Sequence, residues 1–131
     1  MKKDSATRLC AIRELENSGL GVRFVVQLDG RSRSAFVIRF DGEIKAFINE
    51  CAHIGVELDW QPGIFFDSTG QQLICSTHGA RYNPLTGECI SGRCAGRGLI
   101  AIKIREVGEE VHLVDGKGVH LEKIIEGQSD V

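Results

Sequence analysis

Phe36-Val-Ile-Arg-Phe40, Asp41-Gly42, Glu43-Ile-Lys-Ala-Phe-Ile48: this stretch decides the fold class. Two apolar runs with a two-residue period flank an Asp-Gly pair. Such a pair suits a type I′ turn, in which both central residues take positive φ, and that turn matches the twist of the flanking strands. The spacing predicts a β-hairpin, with strands over Ser34 to Phe40 and Glu43 to Asn49.

The same period continues outward. Thr7 to Arg13 and Val22 to Leu28 read as strands ahead of the hairpin. Behind it, Leu99 to Arg105 and Glu110 to Val114 form a second predicted hairpin around Gly108. Val119 to Ile125 reads as a last strand or a short helix. A long 3.6-residue apolar period is absent, so little or no helix is expected. Between the hairpins, residues 49 to 98 are rich in Gly, Cys and His. Turn signals follow closely there: Gln61-Pro62-Gly63, Ser68-Thr69-Gly70, Asn83-Pro84 and Thr86-Gly87. A β scaffold thus brackets a loop-rich insert, the arrangement in which chemistry commonly sits. Residues 1–6 and 126–131 are polar and read as frayed ends.

Composition narrows the function. The 131 residues suffice for one core, so one domain over 1–131 is expected. Net charge is −2, without a basic excess that would suit nucleic acid. Apolar runs stay far short of the roughly 20 residues that span a bilayer, so no membrane partner is expected. The opening MKKDSATRLC lacks an apolar core segment and does not read as a secretory signal. Five cysteines, an odd number, fit reduced thiols in the cytoplasm better than a disulfide framework.

Two short motifs stand in the insert: Cys51-Ala52-His53 and Cys75-Ser76-Thr77-His78. Each offers one thiolate and one imidazole, and each His runs into a glycine-containing turn, Ile54-Gly55 or Gly79-Ala80. Two matching loops could present four ligands to one small object. Two Cys and two His suit a zinc tetrahedron, yet zinc fingers usually pair like with like, whereas each motif here is mixed.

This mixed C-x-H … C-x-x-H pattern resembles the Rieske family, in which one iron of a [2Fe–2S] cluster takes two Cys and the other two His. The likeness runs from about Thr7 to Val114. It implies an all-β fold: a small antiparallel β sandwich with a loop-rich, rubredoxin-like cluster-binding part at about 49–98. It implies one [2Fe–2S] cluster per chain, held by Cys51, His53, Cys75 and His78, with a hairpin between the loops and a covering loop over Gly92 to Gly98. His53 and His78 would mark the electron's exit, rimmed by Ile54, Gly55, Val56, Gly79 and Ala80. The sequence departs from the family in three places. Residues 54 to 74 make a longer connection than usual, with the extra length placed in GIFFDSTGQQ. Val56 and Thr77 stand where high-potential members carry a loop disulfide. Gly92-Arg93 replaces a frequent Gly-Pro pair. High-potential members also donate hydrogen bonds to the cluster sulfurs from a Ser and a Tyr. Ala80 and Tyr82 hold those places here, which implies a potential toward the low end of the roughly −150 to +300 mV Rieske range.

The resemblance implies a stand-alone ferredoxin, monomeric in isolation and not itself an enzyme. It would pass single electrons from a flavin reductase to a terminal oxygenase or similar acceptor. The alternatives are the small Rieske-like subunit of an assimilatory nitrite reductase, or a zinc-stabilised interaction module. Cys10, Cys89 and Cys94 read as small hydrophobes, with a regulatory Cys89–Cys94 disulfide as the other reading. Trp60 and Pro62 read as packing beneath the cluster loops. Arg81, Arg93 and Arg97 are weak candidates for docking an acidic partner. His112, Asp115 and His120 carry the ligand types of a mononuclear iron site, but they read as hairpin and turn residues without an enclosed pocket.

Overall fold

A computed structural model describes residues 6–51, 56–59, 61–77, 79–92, 97–116 and 118–125. The strands are β1 (Ala6–Ala11), β2 (Val22–Leu28), β3 (Arg31–Phe40), β4 (Glu43–Ile48), β5 (Leu73–Ile74), β6 (Arg81–Tyr82), β7 (Cys89–Ser91), β8 (Ala101–Ile102), β9 (Ile104–Val107), β10 (Glu110–Val114) and β11 (Val119–Ile124). All strand pairings are antiparallel, and among the described residues the helical structure is one 3-10 turn, Ile12–Glu14. The protein is all-β.

The β3–β4 hairpin forms as its sequence predicts, with φ of 51° at Asp41 and 82° at Gly42. A second turn of the same kind, Asp29-Gly30 with φ of 52° and 82°, joins β2 to β3. The sequence carries that Asp-Gly signal too, and it extends β3 back to Arg31. Three expectations change. The Arg13 end of the first predicted strand turns into the 3-10 segment. Ala6, expected to fray, opens β1 opposite Val114. The single strand predicted over Leu99 to Arg105 divides at Lys103: β8 pairs with β4, while β9 pairs with β10. The chain crosses there from one sheet to the other, as at the corner of a sandwich. Over Val119 to Ile125 the strand prevails, because β11 finds a partner in β2.

Among the described residues three sheets result, ordered β11-β2-β3-β4-β8, β1-β10-β9 and β5-β6-β7. The β3–β4 hairpin is a wall shared by two cores. One face sends Ala35, Val37, Ile44, Ala46 and Ile48 into a core with Leu9, Phe24, Val26, Val111 and Leu113, between the first two sheets. The other sends Phe36, Ile38 and Phe47 into a core with Leu58, Phe65, Leu73, Tyr82 and both Cys51 and Cys75. Alternation along the strand assigns neighbours to opposite cores, which is why residues 35–38 are buried without interruption. The Phe36 ring stacks on Phe65 with centroids 3.9 Å apart. No helix among the described residues is long and apolar enough to cross a membrane.

Candidate metal centre

Cys51 lies three residues beyond the end of β4, and Cys75 immediately follows β5. The two positions are built alike. The Cys51 N–H donates to Val56 O at 2.6 Å, and the Cys75 N–H donates to Ala80 O at 2.9 Å. Each cysteine thus closes a turn onto the residue five positions ahead. In the second turn, the Gly79 N–H also donates back to Cys75 O at 2.8 Å. The turns are stitched together where the Ser76 N–H donates to Leu58 O at 2.9 Å. Both thiols are almost wholly buried, in the same apolar cluster. The Tyr82 hydroxyl, fully buried on β6, lies 3.3 Å from Cys51 Sγ.

His53 and His78 fall within these turns in sequence but lie outside the described residues, as do Ile54, Gly55, Trp60, Arg93 and Cys94. Of the expected rim, Gly79 is exposed and Val56 half-buried. Ala80 is fully buried and does not reach the surface. Gly92 explains why: a Cβ on it would come 2.8 Å from Ala80 Cα, so the third loop's backbone rests on that alanine. Pro62 is exposed and does not pack beneath the loops.

Other candidates settle differently. Arg81 is bound to Asp67, so its charge is locally offset. Burial opposes the charge on Asp67, but hydrogen bonds from Thr69, Arg81, Gln71 and Gln72 outweigh it and hold the carboxyl below its ordinary range. Asp67 organises the long hairpin of residues 65–74, which closes through Asp67 N–H to Gln72 O at 2.9 Å. Cys10 behaves as a core hydrophobe, and burial pushes its thiol up to about 12. Cys89 does not: it is disulfide-bonded, which departs from both the small-hydrophobe reading and the expectation of wholly reduced thiols. Cys94, the other half of the pair considered above, lies outside the described residues. His112 lies 3.1 Å from Glu110, and Asp115 accepts a hydrogen bond from Thr7. Among the described residues no three metal-ligating side chains converge. Sequence reasoning passed over Asn49 and Asp59, which the structure brings together beside the loops.

Residues 5–116 match the Rieske [2Fe-2S] domain, so the chain belongs to that family. The chain is similar in structure to the ferredoxin of carbazole 1,9a-dioxygenase from Nocardioides aromaticivorans IC177, at 21% identity and TM-score 0.66, over 86% of this chain and 99% of that one. The Sphingomonas yanoikuyae B1 ferredoxin matches at 19% identity and TM-score 0.65, over 86% and 100%. The terminal oxygenase of the Nocardioides system matches at 19% and TM-score 0.64, over 86% of this chain but 30% of its own. No curated protein matches the sequence. The family implies one [2Fe–2S] cluster per chain. Two buried thiols on matching turns, one touched by a phenol, fit the cysteine half of such a site.

Proposed function

We propose that this chain is a one-electron carrier whose cluster is held by Cys51 and Cys75 on one iron and by His53 and His78 on the other. The paired cysteine turns, tied together through Ser76 and Leu58, are the observation that carries the reading. The bound cluster supplies a one-electron couple, and two neutral imidazoles in place of two thiolates raise its potential. The protein's own residues do the rest. Leu58, Leu73 and Phe65 keep water from the thiolate side. Tyr82 offers a hydrogen bond to Cys51 Sγ, and Ala80 supplies a backbone acceptor to Cys75 but no hydroxyl. His53 and His78 serve as the exit to a partner.

The reading extends to a role as ferredoxin between a flavin reductase and a terminal oxygenase, without catalysis of its own, in the cytoplasm. Similarity over nearly the whole length of two ferredoxins supports it. Iron and acid-labile sulfide analysis, with the visible spectrum, tests the centre. Two irons and two sulfides per chain in a reddish-brown protein are expected. A colourless protein carrying one zinc would overturn it. For the partner role, anaerobic mixing of the reduced protein with a terminal oxygenase should oxidise it within turnover time.

A further inference from the structure

Among the described residues the buried polar side chains are Asn49 and Asp59, and they bond each other. Asn49 Nδ2 donates to Asp59 Oδ1 at 3.0 Å. Asp59 Oδ2 accepts from the Gly63 N–H at 2.9 Å. Asn49 Oδ1 accepts from the Leu58 N–H at 2.8 Å. Leu58 O is the atom that receives the Ser76 N–H, beside Cys75. Asn49 is itself anchored to the shared wall, its N–H donating to Ser34 O at 2.8 Å. A continuous path therefore runs from the β3–β4 wall through Asn49 and Leu58 to the second cysteine turn, and Asp59 braces it.

Charge adds a second feature. The Asp59 side chain is 1% exposed, and Arg23 Nε faces it at 3.9 Å. That Nε is buried and makes no hydrogen bond, so Arg23 serves Asp59 as a countercharge at a distance. Burying a carboxylate costs on the order of several kcal/mol unless it is paired and hydrogen-bonded. A single backbone N–H and one amide could be capped by a neutral Asn or Gln at lower cost. Fixed charges in a site of low dielectric act strongly on a neighbouring redox centre.

We propose that Asn49 and Asp59 are positioning residues for the cluster, holding Leu58 between the two cysteine turns, and that the buried Asp59–Arg23 pair sets the reduction potential. This rests on the carrier reading above. Reduction adds one negative charge, so the Asp59 carboxylate opposes it and the Arg23 guanidinium favours it.

The test is protein-film voltammetry on the cluster-loaded chain and on Asp59→Asn, Arg23→Gln and Asn49→Ala, with iron content and thermal unfolding measured alongside. Asp59→Asn should raise the potential and Arg23→Gln should lower it. Each shift should be a three- to tenfold change in the one-electron equilibrium, roughly 30 to 59 mV. Asn49→Ala should lose iron more readily than wild type under chelator. Opposite signs are the decisive result, because a purely structural role predicts lower stability in both charge variants and no ordered pair of shifts. Should Asp59→Asn fail to hold a cluster, a fall in Arg23→Gln alone still decides the charge effect. Unmoved potentials, or shifts of the same sign, overturn the proposal, as does unchanged chelator resistance in Asn49→Ala for its positioning half. A wild type without iron and sulfide fails the carrier reading instead.

Discussion

The two faces of the β3–β4 hairpin support two kinds of structure. On the sandwich face, strands of up to ten residues surround a core of Leu, Val, Ile, Ala and Cys10 with one aromatic ring, Phe24. Backbone ladders satisfy the polar groups there, and only side-chain fit remains to be solved. On the cluster face, β5, β6 and β7 are two or three residues long, too short to hold themselves together. Aromatic packing replaces the ladder: Phe36, Phe47, Phe65, Phe66 and Tyr82 are all buried there. Buried side-chain hydrogen bonds from Asn49 and Asp59 replace it further. Long ladders make a wall, whereas turns fastened by specific side chains make a site.

The largest effect should come from removing a thiol. Cys75→Ser is expected to lose the cluster while the sandwich stays folded, because Cys75 packs in the other core. Iron analysis with far-UV circular dichroism separates the two regions. Loss of all β signal would show that they are one cooperative unit. Next, Phe24→Ala should destabilise the chain by about 3–5 kcal/mol through an unfilled core, while leaving the spectrum of the remaining folded protein unchanged. Phe65→Ala, in the stacked pair, should cost a similar amount and also alter the spectrum. Denaturant titration read by both probes would expose a false division if the two variants behaved alike.

A smaller effect concerns the sulfurs. Tyr82→Phe should lower the potential and Ala80→Ser should raise it, each by tens of millivolts, on the basis of about 1 kcal/mol per hydrogen bond. Ala80 is sealed under Gly92, so a serine there must turn its hydroxyl inward. A zero shift in Tyr82→Phe would mean that its contact with Cys51 carries no weight. The smallest effect is in acid. The Asp67 carboxyl is held below its ordinary value of 3.8, so the folded form binds its proton less readily than the unfolded chain. Its contribution is present above that ordinary value and is lost as pH falls through the lowered one. Urea midpoints at pH 7 and pH 3 should differ less in Asp67→Asn than in wild type. An equal difference would mean that Asp67 does not fasten the long hairpin.

Much of the sandwich was legible because alternation and Asp-Gly turns are local. The division of Leu99 to Arg105 at Lys103 was not, since nothing nearby shows that the chain changes sheets. At the candidate metal centre, spacing singled out Cys51 and Cys75, while Asn49 read only as the end of a strand and Asp59 was not singled out. Their role comes from burial, which depends on the strand end at Asn49, the segment from Leu58 to Gly63 and Arg23 packing together.

By itself the sequence determined that the chain is β, where the two hairpins turn, and which thiols and imidazoles recur in paired motifs, because each is written in a few consecutive residues. Only the tertiary structure decided that one hairpin serves two cores, that Ala80 is sealed beneath Gly92, that Arg81 is claimed by Asp67, and that a buried carboxylate and amide bond each other beside Leu58, whose carbonyl holds the second cysteine turn. Those outcomes depend on residues ten or more positions apart being packed against one another, and on water being excluded from the polar groups between them.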